Sequence, residues 1–387
     1  MDPDTTSSTC GPPPGSAPLR ELAGLFIRLG LTAFGGPAAH IALMEEEVVR
    51  RRKWMDRATF LDLVGTCNLL PGPNSTEMAI HIGFTRAGWP GLIVAGLGFI
   101  VPAALVTLAL AWTYVRFGTL PRARGLLAGI QPVILAILAQ AIWNLGRTAL
   151  KRPALGCLGA AVLALSVLGI QEALLILGAG AVSLALARPR GLPAILGDTA
   201  LPGAGAAVGA IPFSLGGLFW VFLKIGSVLF GSGYVLLAFL RTDLVHRLHW
   251  LSESQLLDAV AAGQVTPGPV FTTATFIGYL LGSWQGALAA TVGIFLPAFV
   301  LVGLSAFLVP RIRRSPSLSA FQDGVNAAAV ALMASVLWDL GRAALLGPWT
   351  AALALGSAVL LVRLRINPTW LVAAGALAGL LFQARAG

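Results

Sequence analysis

Residues 59–84 read TFLDLVGTCNLLPGPNSTEMAIHIGF, and residues 255–279 read QLLDAVAAGQVTPGPVFTTATFIGY. Both stretches are apolar runs with the same interruption, Leu70-Pro-Gly-Pro73 in the first and Thr266-Pro-Gly-Pro269 in the second. Proline removes a backbone donor and clashes with the preceding turn, so a helix cannot continue smoothly through either sequence. The chain therefore contains two copies of a broken apolar helix.

The rest of the chain repeats in the same register. An offset of 196 residues relates Trp54 to Trp250, and an offset of 195 applies after one residue is lost behind Pro-Gly-Pro. Further matched pairs are Phe26 and Phe222, Gly30 and Gly226, Phe34 and Phe230, Asp62 and Asp258, Gly83 and Gly278, Gly91 and Gly286, Gly98 and Gly293, Pro102 and Pro297, Trp143 and Trp338, Arg147 and Arg342, and Pro153 and Pro348. We predict a disordered tail at 1–18, a first repeat at 19–190, a linker at 191–213 and a second repeat at 214–387.

The composition indicates a membrane protein. Of 387 residues, 57% are hydrophobic and only 11% are charged, whereas a typical soluble domain is about 25% charged. Long runs rich in Leu, Ala and Gly, without two-residue alternation, favour helices over a barrel. We predict an all-α polytopic membrane protein with about 10–12 transmembrane segments in two homologous halves, some of them broken helices. Whether the short last two segments of each half cross separately is left open.

The basic residues indicate membrane topology rather than a nucleic-acid partner. The net charge is +10, and Lys and Arg cluster between apolar runs, as at Arg50–Lys53 and Arg311–Arg314. Such clusters are typical of cytoplasmic loops. They follow corresponding spans in both halves, which mildly favours the same orientation for the two halves. Arg147, Lys151 and Arg152 blur this pattern, so the relative orientation stays open.

No cofactor, metal site or enzymatic activity is expected. The three cysteines, Cys10, Cys67 and Cys157, lie far apart and form no metal or redox spacing. His246 and His249 lie in a basic segment, and we expect no carboxylate or cysteine to complete a metal site with them. The sequence contains no P-loop and no nucleophile constellation, so ATP-driven transport would need another subunit.

The paired interruptions are the best indication of a binding site. The first segment of each half is broken at Phe34-Gly-Gly-Pro37 and Phe230-Gly-Ser-Gly233, and the second at Pro-Gly-Pro. Matching interruptions in two repeats point to a transporter site, and a restarting helix offers unpaired N–H groups to an anion. The candidate substrate-binding residues are Gly35, Gly36, Gly231, Pro71, Gly72, Pro73, Asn74, Ser75, Pro267, Gly268 and Pro269, with Thr76, Thr272, Thr273 and Thr275 as further donors. The alternative is that the breaks are packing kinks.

Two repeat-equivalent cations, Arg28 and Lys224, lie inside the first apolar span of each half, just before its glycine break. An intramembrane cation is costly and usually faces a pathway or a partner. We predict that these two cations balance the charge of a dianionic substrate. The alternative is snorkelling to the near interface, which is the interpretation we favour for Arg147 and Arg342 at helix ends.

Five titratable residues are candidates for proton coupling: Glu77, His81, His40, Asp62 and Asp258. Glu77 and His81 are four residues apart and share a helical face directly after Pro-Gly-Pro, while the second half has threonine opposite Glu77. An intramembrane ion pair is the alternative for these two residues. Capping or loop pairing is the alternative for the two repeat-equivalent aspartates.

At these motifs the sequence resembles the chromate ion transporter family. The resemblance rests on Gly30-x-x-x-Phe-Gly-Gly-Pro-Ala-Ala-His40, a basic stretch with Trp54, Leu70-Pro-Gly-Pro73 and a glycine-rich helix that ends at Pro102. The second half resembles the same domain in a variant form. The likeness covers residues 20–385, as in a long, two-domain member.

The resemblance implies export of chromate from the cytoplasm, chromate resistance, and a location in the bacterial inner membrane. It also implies sulfate as a related substrate, a proton gradient or counter-anion exchange as the driving force, and halves in opposed orientation. One alternative is a sulfate or other anion permease or channel that uses the same site. An alternative of another class is a membrane scaffold subunit that does not transport. A homo-oligomer is left open.

Overall fold

A computed structural model describes residues 16–34, 36–118, 121–187, 212–229, 235–312, 316–345, 347–364, 366 and 368–386. The first half contains α1 (Ser16–Thr32), α2 (Gly36–Glu45), a π-helix (Glu46–Arg51), α3 (Arg57–Cys67), α4 (Asn74–Phe117), α5 (Pro121–Ala149), α6 (Pro153–Val167) and α7 (Glu172–Ala187). The second half contains α8 (Leu215–Val228), α9 (Leu236–Leu240), a π-helix (Arg241–Arg247), α10 (Glu253–Val265), a 3-10 turn (Val270–Thr272), α11 (Thr273–Ile312), α12 (Pro316–Ala344), α13 (Pro348–Arg363) and α14 (Pro368–Ala386). Residues 1–15 of the predicted tail and 191–211 of the predicted linker lie outside the described residues.

Long apolar helices confirm the predicted all-α polytopic membrane fold. Within the described ranges every regular element is a helix. Four helices are long and apolar enough to cross a bilayer: Asn74–Phe117, Gly125–Ala149, Val270–Ser305 and Ser319–Arg342. Shorter apolar helices accompany them: Pro153–Val167, Glu172–Ala187, Leu215–Val228, Pro348–Arg363 and Pro368–Phe382.

Helix α4 doubles back on itself near its first quarter. Ala87 leaves the helical conformation and Gly88 has a φ of +60°, in the left-handed region that favours glycine. A Cβ built on Gly83 would lie 2.2 Å from the carbonyl oxygen of Gly91, although residues eight apart in a straight helix are about 12 Å apart. We therefore divide α4 into α4a (74–86) and α4b (89–117). Helix α11 reverses in the same way at Gly282 and becomes α11a (273–281) and α11b (284–312).

The Pro-Gly-Pro sequence lies at the tip of a re-entrant hairpin. The Arg86 guanidinium, at the end of α4a, lies 5.3 Å from the ring centre of Trp54, which precedes α3. The chain thus enters along α3, turns at Pro-Gly-Pro and returns along α4a to the level at which it started. At about 1.5 Å per residue each arm is about 16–20 Å long, which is too short to cross a hydrocarbon core of about 30 Å.

The two halves are antiparallel. Trp89 begins α4b, and its ring packs against Gly303 near the far end of α11b, where an added Cβ would lie 2.7 Å away. Gly146 near the end of α5 likewise packs against Val330 in the middle of α12, with 3.7 Å between a built Cβ and the valine Cγ1. The halves are therefore inverted. This corrects the indication from the basic clusters, which favoured the same orientation.

The inversion defines two membrane faces. We call the side that carries Trp54, Arg86 and the start of α4b the Trp54 face. Trp250, the repeat equivalent of Trp54, packs edge-on against Phe213 at 5.3 Å, beside the turn that begins α11b. The side that carries Trp250 is the Trp250 face. Along α11b the distance from Trp284 to Gly303 is about 28 Å, roughly the thickness of the hydrocarbon core.

Each half completes the packing of the other. Helix α5 packs against α13 and α14, and α12 packs against α6 and α7. The contacts are close: a Cβ on Gly129 of α5 would lie 2.0 Å from the carbonyl oxygen of Gly375, and one on Gly324 of α12 would lie 2.3 Å from that of Ala179. Small residues permit this approach of helix backbones, as is common in membranes. The long helices α5 and α12 are each covered by short helices of the other half.

Candidate functional site

The two Pro-Gly-Pro loops cross between the halves. The Gly72 N–H donates a 2.7 Å hydrogen bond to the carbonyl oxygen of Leu229, and the Gly268 N–H donates a 2.8 Å bond to that of Ala33. Ala33 and Leu229 are repeat equivalents, as are Gly72 and Gly268. Each loop thus binds a carbonyl that the end of the other half's first helix leaves without an intrahelical partner. The breaks predicted from sequence come together at one inverted-repeat interface.

Glycine is required at both loop tips. Gly72 has a φ of +139° and Gly268 a φ of +84°. A Cβ on Gly268 would lie 3.0 Å from the carbonyl oxygen of Gly30, and one on Gly72 would lie 3.9 Å from that of the repeat-equivalent Gly226. Glycine therefore supplies both the conformation and the close approach between backbones.

The restart after the first break has an open N-terminus. Pro73 precedes α4 and offers no side-chain cap. Its carbonyl accepts from the N–H groups of Thr76 and Glu77, so the N–H groups of Asn74 and Ser75 have no intrahelical acceptor. This end of α4 therefore presents donors and the positive end of a helix dipole.

Buried polar atoms without a hydrogen-bond partner gather at the same break. In the described part of the chain they include Nδ1 of His40, Oδ1 of Asn74, Oγ1 of Thr76 and both carboxyl oxygens of Glu77. At the second break, by contrast, the Thr272 hydroxyl donates to the Pro269 carbonyl oxygen. Buried polar groups normally find a partner, so this set marks the first break as a place that lacks one; beside the second break the amide nitrogen of Gln264 is likewise without a partner among the described residues.

A large cavity reaches this break. It has a volume of about 730 Å³ and lies between the first break and helices α5 and α12. Its polar lining consists of Asn68, Asn74, Gln140, Asn144, Thr148, Lys151, Ser319, Gln322, Asp323 and Asn326. Convergent amides and hydroxyls, one lysine and one carboxylate, Asp323, and the open end of α4 make this space the candidate binding site.

The two predicted cations are ion-paired in equivalent ways. Arg28 lies 2.6 Å from Glu47, and Lys224 lies 2.5 Å from Asp243, which is the repeat equivalent of Glu47. The side chains of Arg28 and Lys224 are 49% and 42% exposed, and Arg28 lines a separate, smaller cavity of about 210 Å³. In this conformation carboxylates match their charge, and their role toward a substrate stays a prediction.

Glu47 is held as a carboxylate by its surroundings. Burial opposes its ionisation. Hydrogen bonds and charges from Arg28, Arg51 and Arg52 outweigh burial and hold the pKa of Glu47 below its ordinary value. The pair Arg28–Glu47 is thus a charged pair that ties α1 to the π-helix Glu46–Arg51, beside the first break.

Comparison with known proteins agrees with this architecture. The sequence model described as chromate transporter matches residues 20–184 and, again, residues 216–380. The chain belongs to the chromate transporter family. The resemblance noted from its motifs is confirmed, and the two matches correspond to the two inverted halves of the fold.

Three relatives illustrate the family. The chromate transport protein of Cupriavidus metallidurans is 32% identical over 98% of this chain and 96% of that protein. The chromate transport protein of Pseudomonas aeruginosa is 33% identical over 86% of this chain and 82% of that protein. The probable chromate transport protein of Synechococcus elongatus is 30% identical over 84% and 86%. No solved structure matches the chain.

The structure separates the proton-coupling candidates of this transporter family member by their surroundings. Glu77 is fully buried, and in the described residues neither of its oxygens has a partner. His81 lies 3.4 Å from the Ser305 hydroxyl of the other half. His40 bonds the Ala33 carbonyl oxygen at 3.1 Å through Nε2, so this carbonyl also serves the loop at Gly268. Only Glu77 combines full burial with two unsatisfied oxygens.

The repeat-equivalent aspartates differ. Asp258 is buried and accepts hydrogen bonds from Tyr114 at 2.8 Å and Gln131 at 3.0 Å. Asp62 is exposed on α3. Asp258 therefore joins α10 to helices of the other half, and its part in proton coupling stays a prediction.

The remaining predicted residues are placed as follows. Gly36 is buried with a φ of +78° and begins α2. Gly35 and Gly231 lie outside the described residues. Arg147 and Arg342 are exposed near the ends of α5 and α12, away from the crossed loops.

Sequence reasoning missed the amide residues on the long helices. Gln140 and Asn144 on α5, and Gln322 and Asn326 on α12, line the cavity, and the Gln322 amide donates to the Asn68 carbonyl oxygen. A detectable signal existed, because amides in apolar spans are costly unless they have a task. Asn144 also belongs to a motif that the repeat already matched.

Proposed function

We propose that this chain is a secondary transporter that exports chromate, a tetrahedral dianion, across the bacterial inner membrane and thereby confers chromate resistance. The cavity of about 730 Å³ that ends at the uncapped start of α4 carries the proposal. Membership of the chromate transporter family and the names of the relatives in Cupriavidus metallidurans and Pseudomonas aeruginosa support chromate as the substrate. Inverted repeats with broken helices are typical of secondary transporters.

The start of α4 supplies the donors for the oxyanion. The N–H groups of Asn74 and Ser75 point out of the first turn, where the helix dipole is worth about half a positive charge. The Thr76 hydroxyl is buried and lacks a partner among the described residues, as expected for a donor whose acceptor arrives with the substrate. Amide side chains of the cavity replace water around the remaining oxygens.

The positive charge for a dianion comes from two sources in this proposal. Lys151 lines the cavity and attracts the anion on entry. Arg28 and Lys224 lie on the first helix of each half, before the carbonyls that bind the crossed loops, and balance the bound charge when their pairs with Glu47 and Asp243 open during the cycle. Because those pairs are closed in this conformation, the proposal predicts that substrate charge and carboxylate charge compete for the same cations.

The direction of export is supported by the position of the cavity. Ser319 and Gln322 line it from the first turns of α12, which begins beyond the end of α11b and therefore on the Trp54 face. That face carries the four basic residues Arg50–Lys53 together with Arg57, whereas the equivalent positions on the Trp250 face, His246–His249 and Glu253, hold one arginine, two histidines and an acid. Cytoplasmic surfaces are enriched in Lys and Arg. A cavity open to the cytoplasm loads its substrate from the cytoplasm.

A proton gradient drives export in this proposal, and Glu77 carries the proton. A buried carboxyl without a partner is expected to be neutral, because an unpaired buried charge is very costly. The second half has a threonine in this place, so one proton per cycle is expected. Counter-anion exchange is the alternative drive, and His81, His40, Asp62 and Asp258 remain the other candidates.

Labelled chromate uptake into inside-out vesicles tests the proposed function. Uptake above empty vesicles that rises when the lumen is acid and the medium is neutral or alkaline would support a proton-coupled exporter. Uptake that only equilibrates would indicate a channel, and binding without uptake would indicate a scaffold subunit. Excess sulfate separates the remaining alternative: stronger transport of sulfate than of chromate would make this a sulfate permease.

A further inference from the structure

Three positions that line the large cavity have repeat equivalents around a small void in the second half. That void has a volume of about 10 Å³ and lies among α9, α10 and the start of α11, whereas the large cavity, of about 730 Å³, extends between the first break and the long helices α5 and α12. A void of that size is at the limit for one water molecule. The corresponding lining pairs are Ile41 and Leu237, Asn68 and Gln264, and Asn74 and Val270. These equivalent positions face an open cavity in the first half and a closely packed interior in the second.

The helices before each Pro-Gly-Pro loop, α2 and α3 in the first half and α9 and α10 in the second, pack differently, and we call them the re-entrant elements. Helices α9 and α10 pack against α12, and α10 also packs against α5 and α14. Their equivalents α2 and α3 pack on α4, and the open cavity separates them from much of α5. In the second half the re-entrant elements α9 and α10 therefore contact the long helix α12. In the first half the cavity lies between α2 and α3 and much of the equivalent helix α5.

An ion-pair cluster fastens the closed side. The Arg241 guanidinium lies 2.7 Å from Asp339 on α12 and 2.7 Å from Glu253 at the start of α10. Arg241 belongs to the π-helix that follows α9, and only 14% of its side chain is exposed. One cation therefore joins the re-entrant elements to the long helix α12.

The open side retains half of this cluster with the charges exchanged. Glu45 and Arg57 are the repeat equivalents of Arg241 and Glu253, and they form an ion pair at 3.3 Å. Asn144 is the equivalent of Asp339. It lines the open cavity, and no hydrogen bond joins it to Glu45 in the part of the chain that the structure describes. The contact with the long helix is therefore present on the closed side, between Arg241 and Asp339. On the open side, the described residues show no such contact between Glu45 and Asn144.

A second connection is present on the closed side. Asp258 on α10 binds Tyr114 and Gln131 from the first half and is 4% exposed. Its equivalent Asp62 is exposed, and Asn326, the equivalent of Gln131, lines the open cavity. The Arg241 cluster and the Asp258 contacts thus both hold α10 against helices of the membrane interior on the Trp250 face.

We propose that Arg241 and Asp339 form a latch that closes a second access route for the same anion, on the Trp250 face, and that transport exchanges the conformations of the two halves. Opening of the latch lets α9 and α10 separate from α12 as α2 and α3 are separated from α5 here. The route then passes Gln264, whose amide nitrogen is buried in the closed void without a partner among the described residues. This inference extends the proposed function and rests on the open cavity being a substrate route.

Cysteine labelling in vesicles of known orientation tests the latch. The background carries alanine in place of Cys10, Cys67 and Cys157, and a single cysteine is introduced as Asn144→Cys for the open route or Gln264→Cys for the closed one. A charged, membrane-impermeant thiol reagent is applied from each face. Asn144→Cys should react from the Trp54 face, and Gln264→Cys should react slowly from either face. Adding Asp339→Asn should raise the rate at Gln264→Cys from the Trp250 face about tenfold, the effect of one charge-assisted hydrogen bond.

Two matched variants complete the test. Glu45→Gln breaks the equivalent pair on the open side and should leave the rate at Gln264→Cys unchanged, while Asp339→Glu keeps the charge and the closed state. An unchanged rate at Gln264→Cys in Asp339→Asn, with Asn144→Cys still reactive, would overturn the latch, as would an equal effect of Glu45→Gln. The labelling uses no chromate, so failure of the proposed substrate leaves its outcome readable, and the uptake assay tests the function separately.

Discussion

A methyl group added at Gly268 enters a closely packed point of the crossed loops. The new Cβ would lie 2.6 Å from the Ala103 Cβ and 3.0 Å from the Gly30 carbonyl oxygen, at a φ of +84°. Overpacking of this kind costs about 1–3 kcal/mol, and the left-handed conformation costs an alanine about 1–2 kcal/mol. Because both neighbours belong to helices, neither can move aside easily. We expect Gly268→Ala to lower the free energy of unfolding by about 2–5 kcal/mol.

Two matched variants set the scale. A Cβ on the repeat-equivalent Gly72 would lie 2.4 Å from Oε1 of Glu77, the end of a side chain rather than backbone, so the packing cost should be smaller and most of the loss should be the backbone cost of about 1–3 kcal/mol. A Cβ on Gly156 in α6 would meet nothing within 4 Å. Gly156→Ala should be neutral or stabilise the protein by about 0.5–1 kcal/mol.

Thermal unfolding of the purified protein in detergent, followed by tryptophan fluorescence, measures the order of these effects. The apparent midpoint should be lowest for Gly268→Ala, intermediate for Gly72→Ala, and highest for the wild type and Gly156→Ala. A Gly268→Ala protein that melts with the wild type would refute the reasoning, because the loop would then not be packed against the first helix of the other half.

Three further predictions address charge, coupling and the helical hairpin. Arg28→Gln should lower chromate uptake at least about tenfold, the value of one charge-assisted contact, with normal membrane insertion; unchanged uptake would remove the charge-balancing role. Glu77→Gln should abolish the response of uptake to a pH gradient, worth about tenfold accumulation per pH unit for one proton, and should retain chromate exchange across vesicles; an unaltered pH response would place the coupling elsewhere. Gly83→Ala should reduce the amount of protein in the membrane fraction because its Cβ would lie 2.2 Å from the Gly91 carbonyl oxygen, while Gly24→Ala, with nothing within 4 Å, should not; equal amounts of both would contradict the hairpin.

The sequence was sufficient for those parts of the fold that local chemistry determines. Pro71-Gly-Pro73 and Pro267-Gly-Pro269 cannot continue a helix, and the structure places both at hairpin tips. The repeat register is carried by Trp, Pro and Gly, whose positions depend on backbone geometry. The equivalent bonds of Gly72 and Gly268 to the opposite half follow from that register once the halves are brought together.

The relative orientation of the halves required contacts that no local pattern encodes. The basic clusters mildly favoured the same orientation, whereas the packing of Trp89 against Gly303 shows the opposite one. A basic cluster indicates the membrane side of the loop that carries it, but it does not indicate how the helices of the two halves pack against one another. The count of crossings is also obscured by α3 and α4a, which enter and return on the same side.

The carboxylate partners of Arg28 and Lys224 could have been predicted from the sequence, whereas the cavity amides could be predicted only in part. Glu47 and Asp243 are repeat equivalents that follow the first break of each half, so the repeat offset applied to acidic residues would have paired them with Arg28 and Lys224. Asn326, by contrast, approaches the first break only because α12 of the second half packs against α5. Such long-range proximity follows from the tertiary structure alone.

Equilibrium binding of labelled chromate to the purified protein tests most directly whether the open cavity is the substrate site. The wild type should bind chromate saturably and lose it to excess sulfate. The combined variant Asn144→Leu and Asn326→Leu should bind at least about tenfold more weakly, while Trp143→Phe, next to Asn144 but 65% exposed, should bind like the wild type. Binding by the double leucine variant that equals the wild type would contradict the account and place the substrate outside this cavity.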